Sequence, residues 1–302
     1  MTELAPVRYR SPDEDSGRWV EFPYRAGDVI ISTRSKSGTT WVQMICALLV
    51  FQTPDLPAPL GELSPWLDWL GEGRDLVVAR LEAQEHRRFV KTHTPLDGLP
   101  LDPRASYVVV GRQPLDMAVS LYHQGDNLDR ERIVRLTGQA PAPPTVRPAL
   151  SRWLDAWIDA DVDPRAQLDS LPGVFHHLSD AWGRRDRPNV ILVHYDDLLG
   201  DLEGEMRRLA DRLAIAVPDE RWPVLVDAAR FDAMRGRAEQ LAPDAGGVLK
   251  DRSAFFRRGS SGAGREILTE EQWRHYLTRA AELAPSELLA WLHRDGYYDG
   301  HG

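Results

Sequence analysis

Residues 35–41, SKSGTTW, combine one lysine, one glycine and four hydroxyl side chains between two apolar runs. A helix that begins in such a loop offers free amide groups and a positive dipole end to an anion, and Gly38 lets the backbone approach it closely. The Walker pattern is not met, because Lys36 precedes Gly38 and no glycine stands five residues before Gly38. The stretch therefore predicts a phosphate loop that is not built for a magnesium-bound triphosphate.

A second motif, RFVKTHTPL at 88–96, places Lys91 and His93 together at the end of a predicted strand. Because side chains two residues apart in a strand lie on the same face, both should point to the same side. Histidine is the usual base near neutral pH. A lone histidine is more often structural, but the strand end and the nearby lysine favour a catalytic base here.

Basic side chains in two further segments could hold a second phosphate. Arg112 stands between a predicted strand and a helix opened by Pro114, and Ser120 follows eight residues after Arg112. In FFRRGSSGAGREIL, residues 255–268, paired arginines precede glycines, which is typical of a mobile basic lid. Taken alone, the Arg112 segment is better explained as a surface arginine followed by a helix-interior serine.

The predicted elements alternate between strands and helices. Short, apolar segments rich in β-branched residues predict strands at 28–33, 88–93, 106–111 and 190–195. Helical patterns cover 40–51, 114–123, 198–213 and 270–292, the last broken near Pro285. This alternation predicts a single α/β domain over residues 1–302, with a parallel sheet, helices on both faces and a P-loop-like strand-loop-helix. The nucleotide-binding core is expected over about 26–215, the basic lid over about 250–268, and loops at 138–148 and 242–247.

Charge and composition exclude several classes of protein. The net charge of −9 and the pI near 5.5 argue against a nucleic-acid partner or an anionic membrane surface, since both need a basic face. Neither the apolar region of a signal peptide nor a membrane-spanning run is found, so we expect a soluble, cytoplasmic protein. The single cysteine, Cys46, is expected in the core, and no metal site is predicted because metal-ligand spacing is absent.

The order and types of these residues resemble the cytosolic-type sulfotransferases that use 3′-phosphoadenosine 5′-phosphosulfate (PAPS). KSGTTW at 36–41 resembles the 5′-phosphosulfate loop of that family, although RS at 34–35 stands where the family usually has Tyr-Pro. The segment KTHTP resembles the K-T-H-x-P motif of the family. Arg112, Asp116 and Ser120 match its R-x-x-x-D-x-x-x-S motif for the 3′-phosphate.

Two later segments continue the resemblance with some departures. Residues 193–215 resemble the family's strand followed by Y-E-D and an amphipathic helix, and residues 255–268 resemble its R-K-G-x-x-G-D-W-K. Ala263 and Gly264 replace the Asp-Trp of that motif, and Ala229 stands where the family normally has threonine. These departures predict a lid whose closing half differs and a nucleotide site with one hydroxyl contact fewer.

The resemblance implies an enzyme that transfers a sulfuryl group from PAPS to an acceptor hydroxyl or, less expected, an amine. It releases 3′-phosphoadenosine 5′-phosphate (PAP) and needs no metal. The resemblance also implies His93 as general base, with Lys36 and Lys91 stabilising the developing charge, Trp41 stacked on the adenine and Tyr195 beside it. The implied cofactor-binding residues are Lys36, Ser37, Gly38, Thr39, Thr40, Trp41, Arg112, Ser120, Tyr195, Arg257, Arg258 and Gly259.

The acceptor is expected to be a small molecule such as a phenol, a steroid or a hydroxylated natural product, and the oligomeric state is left open. The side chains that could line an apolar acceptor pocket, or could equally be core aromatics, are Trp66, Trp69, Tyr122 and His123. Two other functions stay open. A nucleoside kinase or NTPase would explain the basic cradle but not His93. A non-catalytic binder of 3′,5′-bisphosphate nucleotides would leave Lys91 and His93 without a role.

Overall fold

The computed structural model describes residues 5–138, 140, 146–244 and 246–294. Parts of both predicted loops, at 139, 141–145 and 245, lie outside the described residues, as do the two ends of the predicted domain. Within the described ranges, none of the helices has the length and apolarity that a membrane crossing requires.

Among the described residues, four parallel strands form one sheet in the order β2-β1-β3-β4. They are β1 Val29–Ser32, β2 Phe89–Thr92, β3 Ser106–Gly111 and β4 Val190–His194, so each end lies within one residue of its predicted place. The register aligns Ser32 of β1 with Thr92 of β2 and Val109 of β3. The carboxyl ends of these strands therefore open at the same edge of the sheet, where ligands of open α/β sheets bind.

Helices connect the strands and cover both faces of the sheet. In the described part of the chain, short 3₁₀ helices accompany them at Ser16–Trp19, Leu96–Gly98 and Asp219–Arg221. The α-helices are α1 Thr39–Phe51, α2 Leu60–Leu63, α3 Arg74–Ala83, α4 Pro114–Asn127, α5 Arg130–Thr137, α6 Leu150–Ile158, α7 Leu171–Trp182, α8 Tyr195–Gly200, α9 Leu202–Arg212, α10 Trp222–Ala229, α11 Phe231–Gly236, α12 Ala238–Leu241, α13 Arg252–Phe255, α14 Ala263–Ile267, α15 Glu270–Leu283 and α16 Ser286–His293.

The prediction of one continuous helix over 198–213 is wrong. α9 begins directly after Asp201, whose carboxylate accepts the amide of Gly204 at 2.9 Å. An aspartate in this capping position satisfies an amide that the start of a helix leaves unpaired, so a new helix begins there. The break predicted near Pro285 is confirmed, because α15 and α16 meet at that proline.

Alternate strand residues pack into two separate cores, one on each face of the sheet. Ile30 of β1 points into the core formed with α4, α7, α15 and α16, whereas Ile31 points into the core formed with α1, α9 and α10. A fully buried isoleucine of this kind contributes about 1.5–3 kcal/mol. The predicted parallel sheet with helices on both faces is confirmed, and Cys46 is buried in the second core as predicted.

A buried ion pair joins the amino ends of the three strands that lead to the cavity. Arg88 and Asp28 are each 1% exposed, and Nε of Arg88 donates to Oδ1 of Asp28 at 2.8 Å. Arg88 also donates to the carbonyl oxygen of Pro23 at 2.8 Å. Because the backbone of Asp28 accepts the amide of Ser106 at 2.8 Å, the pair ties β1, β2 and β3 together.

Arg88→Met should lower the free energy of unfolding by about 3–5 kcal/mol, because it leaves the Asp28 carboxylate buried without its cation. The exposed pair of Arg104 and Asp102 provides the control, and Arg104→Met should lower the free energy of unfolding far less. Urea denaturation of both variants and the parent measures the two differences. Equal losses in the two variants would contradict the role given to the buried pair.

Candidate functional site

The carboxyl ends of β1, β2 and β3 border a cavity of about 340 Å³. Ser37, Tyr122 and His123 are the predicted site residues that do not line it. The predicted residues that do line it are Lys36, Gly38, Thr39, Thr40, Trp41, Trp66, Trp69, Lys91, His93, Arg112, Ser120, Tyr195, Arg257, Arg258 and Gly259.

The loop between β1 and α1 has the backbone geometry of an anion cradle. Gly38 caps α1 with a φ of 107°, and a β-carbon at this position would lie 3.0 Å from the ring of Tyr195. A side chain here would therefore be strained and crowded at once. The first amides of α1 have no partner within the helix, and the hydroxyl groups of Thr33 and Thr39 hydrogen-bond beneath them. These features match an anion site at a helix N-terminus.

Lys36 contributes a cation that is held in apolar surroundings. Its Nζ lies 3.3 Å from Oε1 of Gln124 and 3.7 Å from the ring centre of Phe255. Burial, with further contributions from Arg112, Lys91 and Arg257, lowers the pKa of Lys36 to about 7. Burying these like charges close together is electrostatically unfavourable, and a bound anion would offset the repulsion between them.

Lys91 and His93 contact the same indole ring. Nζ of Lys91 lies 3.9 Å from the ring centre of Trp66, and the Trp66 and His93 rings meet edge to face at 4.8 Å. Burial lowers the pKa of Lys91 to about 8. Trp66 in turn stacks on Trp69 at 6.3 Å, so a pair of aromatic rings forms the wall beside the lysine and the histidine.

The hydrogen bonding of His93 defines which nitrogen can accept a proton. Its Nδ1 contacts the carbonyl oxygen of Thr33, and a carbonyl only accepts, so Nδ1 carries the hydrogen. Burial, together with Lys91 and Arg34, holds the pKa of His93 well below its usual value. The imidazole is therefore neutral near pH 7, with its lone pair on Nε2. This is the protonation state that a general base requires.

Asp68 holds the backbone that carries this histidine. Its carboxylate accepts the His93 amide at 3.2 Å, and it also hydrogen-bonds the Thr92 hydroxyl and the Trp19 indole. Asp68 is fully buried, and burial raises its pKa to about 6. The end of β2 is thus fixed by side-chain contacts in addition to the sheet.

Arg112 connects the phosphate loop with the lid. Its Nη1 donates to the carbonyl oxygen of Lys36 at 2.8 Å, and its Nη2 donates to the carbonyl oxygen of Ser260 at 3.3 Å. The guanidinium group lies 4.1 Å from the ring centre of Tyr195. Its buried Nε has no hydrogen-bond partner among the described residues.

Asp116 fastens the lid to α4. Its carboxylate accepts the amides of Gly262 at 2.8 Å and Gly264 at 2.7 Å. A β-carbon at Gly264 would lie 2.3 Å from Cβ of Leu115, so the glycine lets α14 pack directly on α4. The departure at Ala263 and Gly264 from the Asp-Trp pattern therefore accompanies a close contact between the lid and α4.

The two lid arginines have different surroundings. Arg258 is exposed and pairs with Glu266 at 2.7 and 2.8 Å. Arg257 is also exposed, but partial desolvation, followed by the charges of Arg258 and Arg112, lowers its pKa. Arg257 is thus a lid cation whose charge interacts with those of Arg112 and Lys36.

Of the predicted aromatic residues, Trp41 lines the cavity whereas Tyr122 does not. Nε1 of Trp41 donates to the carbonyl oxygen of Ala229 at 2.9 Å, and its ring meets Tyr195 edge to face at 5.3 Å. The contact with Ala229 uses only backbone, so it needs no hydroxyl there. Tyr122 instead donates to the carbonyl oxygen of Pro148 at 2.9 Å, outside the cavity lining.

The family model of the sulfotransferase domain matches residues 26–282 of this chain. The chain belongs to the sulfotransferase family. The predicted membership of the PAPS-dependent sulfotransferases, and with it the prediction of an enzyme, is confirmed. A glycolipid sulfotransferase of Mycobacterium bovis (strain BCG / Pasteur 1173P2) is 43% identical over 315 residues, covering 96% of each chain. Sulfotransferase 1A1 of Canis lupus familiaris is 27% identical and covers 83% of this chain and 81% of its own.

Solved structures share the fold of this sulfotransferase. A retinol dehydratase in complex with androsterone and the inactive cofactor PAP superposes with a TM-score of 0.67 at 21% identity, covering 88% of this chain and 83% of its own. Mouse sulfotransferase SULT7A1, complexed with PAP, superposes with a TM-score of 0.64 at 20% identity, and the match covers 92% of this chain and 88% of the mouse chain. The predicted P-loop-like α/β fold is confirmed.

Sequence patterns missed several residues that line the cavity of this sulfotransferase. Asp13 and Glu14 reach it because the N-terminal segment pairs with the segment after α2, with the Leu70 amide donating to the Asp13 carbonyl at 2.8 Å. Arg34 does not line the cavity itself, but it donates to Asp169, which does, at 2.6 Å and also to the backbone of His93. For Arg34, the unusual RS at 34–35 is the signal that the sequence offers. No local sequence pattern indicates that Asp13 and Glu14 reach the cavity. No group of three or more His, Cys, Asp or Glu residues in the described ranges could hold a metal.

Proposed function

We propose that this sulfotransferase transfers a sulfuryl group from PAPS to a hydroxyl group of a small organic acceptor, with His93 as general base. The observation that carries the proposal is the meeting of Lys36, Lys91 and a neutral His93 in one cavity beside the phosphate loop. The family match supports the reaction class, and PAP complexes of proteins with the same fold support the donor.

The residues present fit a 3′,5′-bisphosphate nucleotide. Gly38 leaves room for an anion at the start of α1, and Nε of Arg112 is a buried donor with no partner in the described part of the chain. The ammonium group of Lys36 contacts the Gln124 amide oxygen and the Phe255 ring, and that of Lys91 contacts the Trp66 ring. None of these contacts is with a carboxylate. We assign the 5′-phosphate to the loop of residues 36–40, with the amides and hydroxyls of Thr39 and Thr40 as donors and Lys36 as the cation. Ser37 is left out of this assignment, because its amide donates to the carbonyl oxygen of Arg34 at 3.2 Å. The 3′-phosphate is assigned to Arg112, Ser120, Arg257, Arg258 and Gly259, and the adenine to Trp41 and Tyr195.

His93 acts on the acceptor in this proposal. Its Nε2 removes the acceptor proton as the acceptor oxygen forms a bond to sulfur. The donor supplies the sulfuryl group and leaves as PAP when the bond from sulfur to the bridging phosphate oxygen breaks. Because Thr33 holds the proton on Nδ1, the ring is already in the tautomer that can accept at Nε2.

Lys36 and Lys91 stabilise the charge that develops on the sulfuryl oxygens and on the leaving phosphate oxygen. Fixed cations in a water-poor cavity act strongly on such charge and need no reorganisation during the reaction. The order of lysine before glycine suits this task, because it places an ammonium group at the bridging oxygen of one substituted phosphate.

We further propose a sugar hydroxyl of a glycolipid as the acceptor group. The mycobacterial relative named as a glycolipid sulfotransferase covers 96% of this chain at 43% identity. The stacked Trp66 and Trp69 offer an aromatic wall, and the carboxyl groups of Asp13, Glu14 and Asp169 line the same cavity. Carboxyl groups beside aromatic rings supply both the polar and the apolar contacts that a sugar ring requires.

The proposal is tested by thermal shift followed by a transfer assay. PAP alone should raise the melting temperature by several degrees at saturating concentration, and ATP with magnesium should not. Labelled PAPS should then transfer sulfate to members of a panel of phenols and glycolipids. Magnesium-dependent ATP turnover would instead support a kinase or NTPase. PAP binding without transfer to any acceptor would support a non-catalytic binder.

His93→Ala should lower kcat by about 10²-fold or more, because the variant lacks the general base. His93→Gln should lose a similar factor, and both variants should keep the thermal shift caused by PAP. His275→Ala is the matched control, since this exposed histidine pairs with Asp159 away from the cavity. Parent-like turnover by a folded His93→Ala protein would refute the assigned role.

PAP binding should weaken as the pH rises from about 7 to about 8. The protein surroundings set the pKa of Lys36 at about 7 and that of Lys91 at about 8, and bound phosphate raises both. Binding therefore takes up protons in this range, and each deprotonated lysine raises Kd by up to about 10-fold per pH unit above its pKa. Well below pH 7 the contribution of the lysines to this dependence disappears, because both ammonium groups are then fully charged.

Calorimetry in two buffers of different ionisation enthalpy measures that proton uptake. Lys36→Met should abolish its part of the uptake, whereas Lys250→Met should not, because Lys250 donates to the backbone of Asp126 at the surface. A constant Kd from pH 6.5 to pH 8.5 would show that the lysines do not titrate with binding.

A further inference from the structure

We propose that a groove beside the cavity is a second acceptor subsite, which binds an alkyl chain attached to the sugar or other hydroxyl-bearing part of the acceptor. This inference rests on the proposed function. The groove has a volume of about 740 Å³ and is separate from the phosphate loop.

The groove and the reaction cavity are adjacent. Asp13, Glu14, Leu121 and Asp169 line both, so we assign the passage between them to these four residues. The reaction cavity also contains His93, so a hydroxyl at that histidine can be joined through the passage to a substituent in the groove.

The groove has both polar and apolar lining, and its apolar part includes two tryptophan rings. The rings of Trp153 and Trp157 stack at 6.5 Å with an angle of 19°. Nε1 of Trp157 donates to the carbonyl oxygen of Asp169 at 2.8 Å, so the polar edge of this ring is satisfied. Ala156 and Ala160 also line the groove, and their side chains are small. An alkyl chain fits this apolar part, because burial of apolar surface is its main source of affinity.

The passage has little uncompensated charge for an apolar chain to cross. Asp169 pairs with Arg34 at 2.6 Å. Burial raises the pKa of Glu14 to about 8, so that carboxyl group is neutral below this pH and can donate a hydrogen bond to the acceptor. Burial also raises the pKa of Asp13, which faces the charge of Arg130.

Exposed arginines surround the groove without filling it. Arg10, Arg130 and Arg165 line its edges and have exposed side chains. Arginine keeps its charged head in water while its methylene groups lie along apolar surface, so such a rim extends the apolar part of the lining. These features favour an amphiphilic acceptor over a compact phenol.

The test uses alkyl β-D-glucosides that share one sugar and differ in chain length: methyl, octyl and dodecyl, each kept below its micelle-forming concentration. In the parent enzyme, KM should fall by at least about 10-fold from the methyl to the dodecyl compound, since each buried methylene adds affinity. The value of kcat should change little, because the chain is remote from His93.

Ala156→Trp and Ala160→Trp fill the groove from exposed or half-buried positions, where folding tolerates a larger side chain. Each should raise KM for the dodecyl compound by about 10-fold and leave KM for methyl glucoside and the PAP thermal shift unchanged. Ala281→Trp is the matched control, since Ala281 is exposed on α15 and lines neither the cavity nor the groove.

Three results would overturn the inference: a KM independent of chain length in the parent, an unchanged dodecyl KM in both groove variants, or no sulfation of any alkyl glucoside. If phenols or other acceptors are still sulfated in the last case, the proposed transfer from PAPS with His93 as general base stands, whereas the sugar-hydroxyl acceptor and the groove assignment both fail. Loss of transfer to every acceptor would overturn the proposed function as well.

Discussion

The burial of cations at one edge of the sheet is the constraint on which the site depends. Lys36 and Lys91 lie among aromatic rings and other cations, and their surroundings lower both pKa values toward neutrality. Desolvating like charges together is unfavourable unless an anion compensates them. The parallel register brings Lys36 and Lys91 to the same edge of the sheet, because β1 and β2 both end there.

The same cations couple parts of the chain that are distant in sequence. Arg112 bonds to the backbone of the phosphate loop and of the lid, while Asp116 accepts two lid amides a helical turn further along α4. One helix start therefore positions both the loop and the lid. An anion that contacts Arg112 would therefore affect both the phosphate loop and the lid, because the guanidinium group hydrogen-bonds to the backbone of each.

The chemistry of His93 depends on its neighbours more than on its own sequence motif. Thr33 from the adjacent strand selects the tautomer, Asp68 holds the backbone, and Arg34 contacts the carbonyl of the same residue. Arg34 also pairs with Asp169, which borders both the cavity and the groove. The departure from the usual Tyr-Pro pattern thus links the backbone of His93 to the side chain of Asp169.

Local sequence determined the strands, the phosphate loop and most of the residues that converge on the cavity, because β-branched runs and glycine-bearing loops express short-range preferences. It could not reveal the Asp201 break, since a capping aspartate and a surface aspartate look alike in a helical pattern. Nor could it place Asp13 and Glu14, which reach the cavity only because the N-terminal segment pairs with residues 68–70. Tertiary structure alone decided these contacts, the tautomer of His93 and the groove, because each depends on groups that are far apart along the chain.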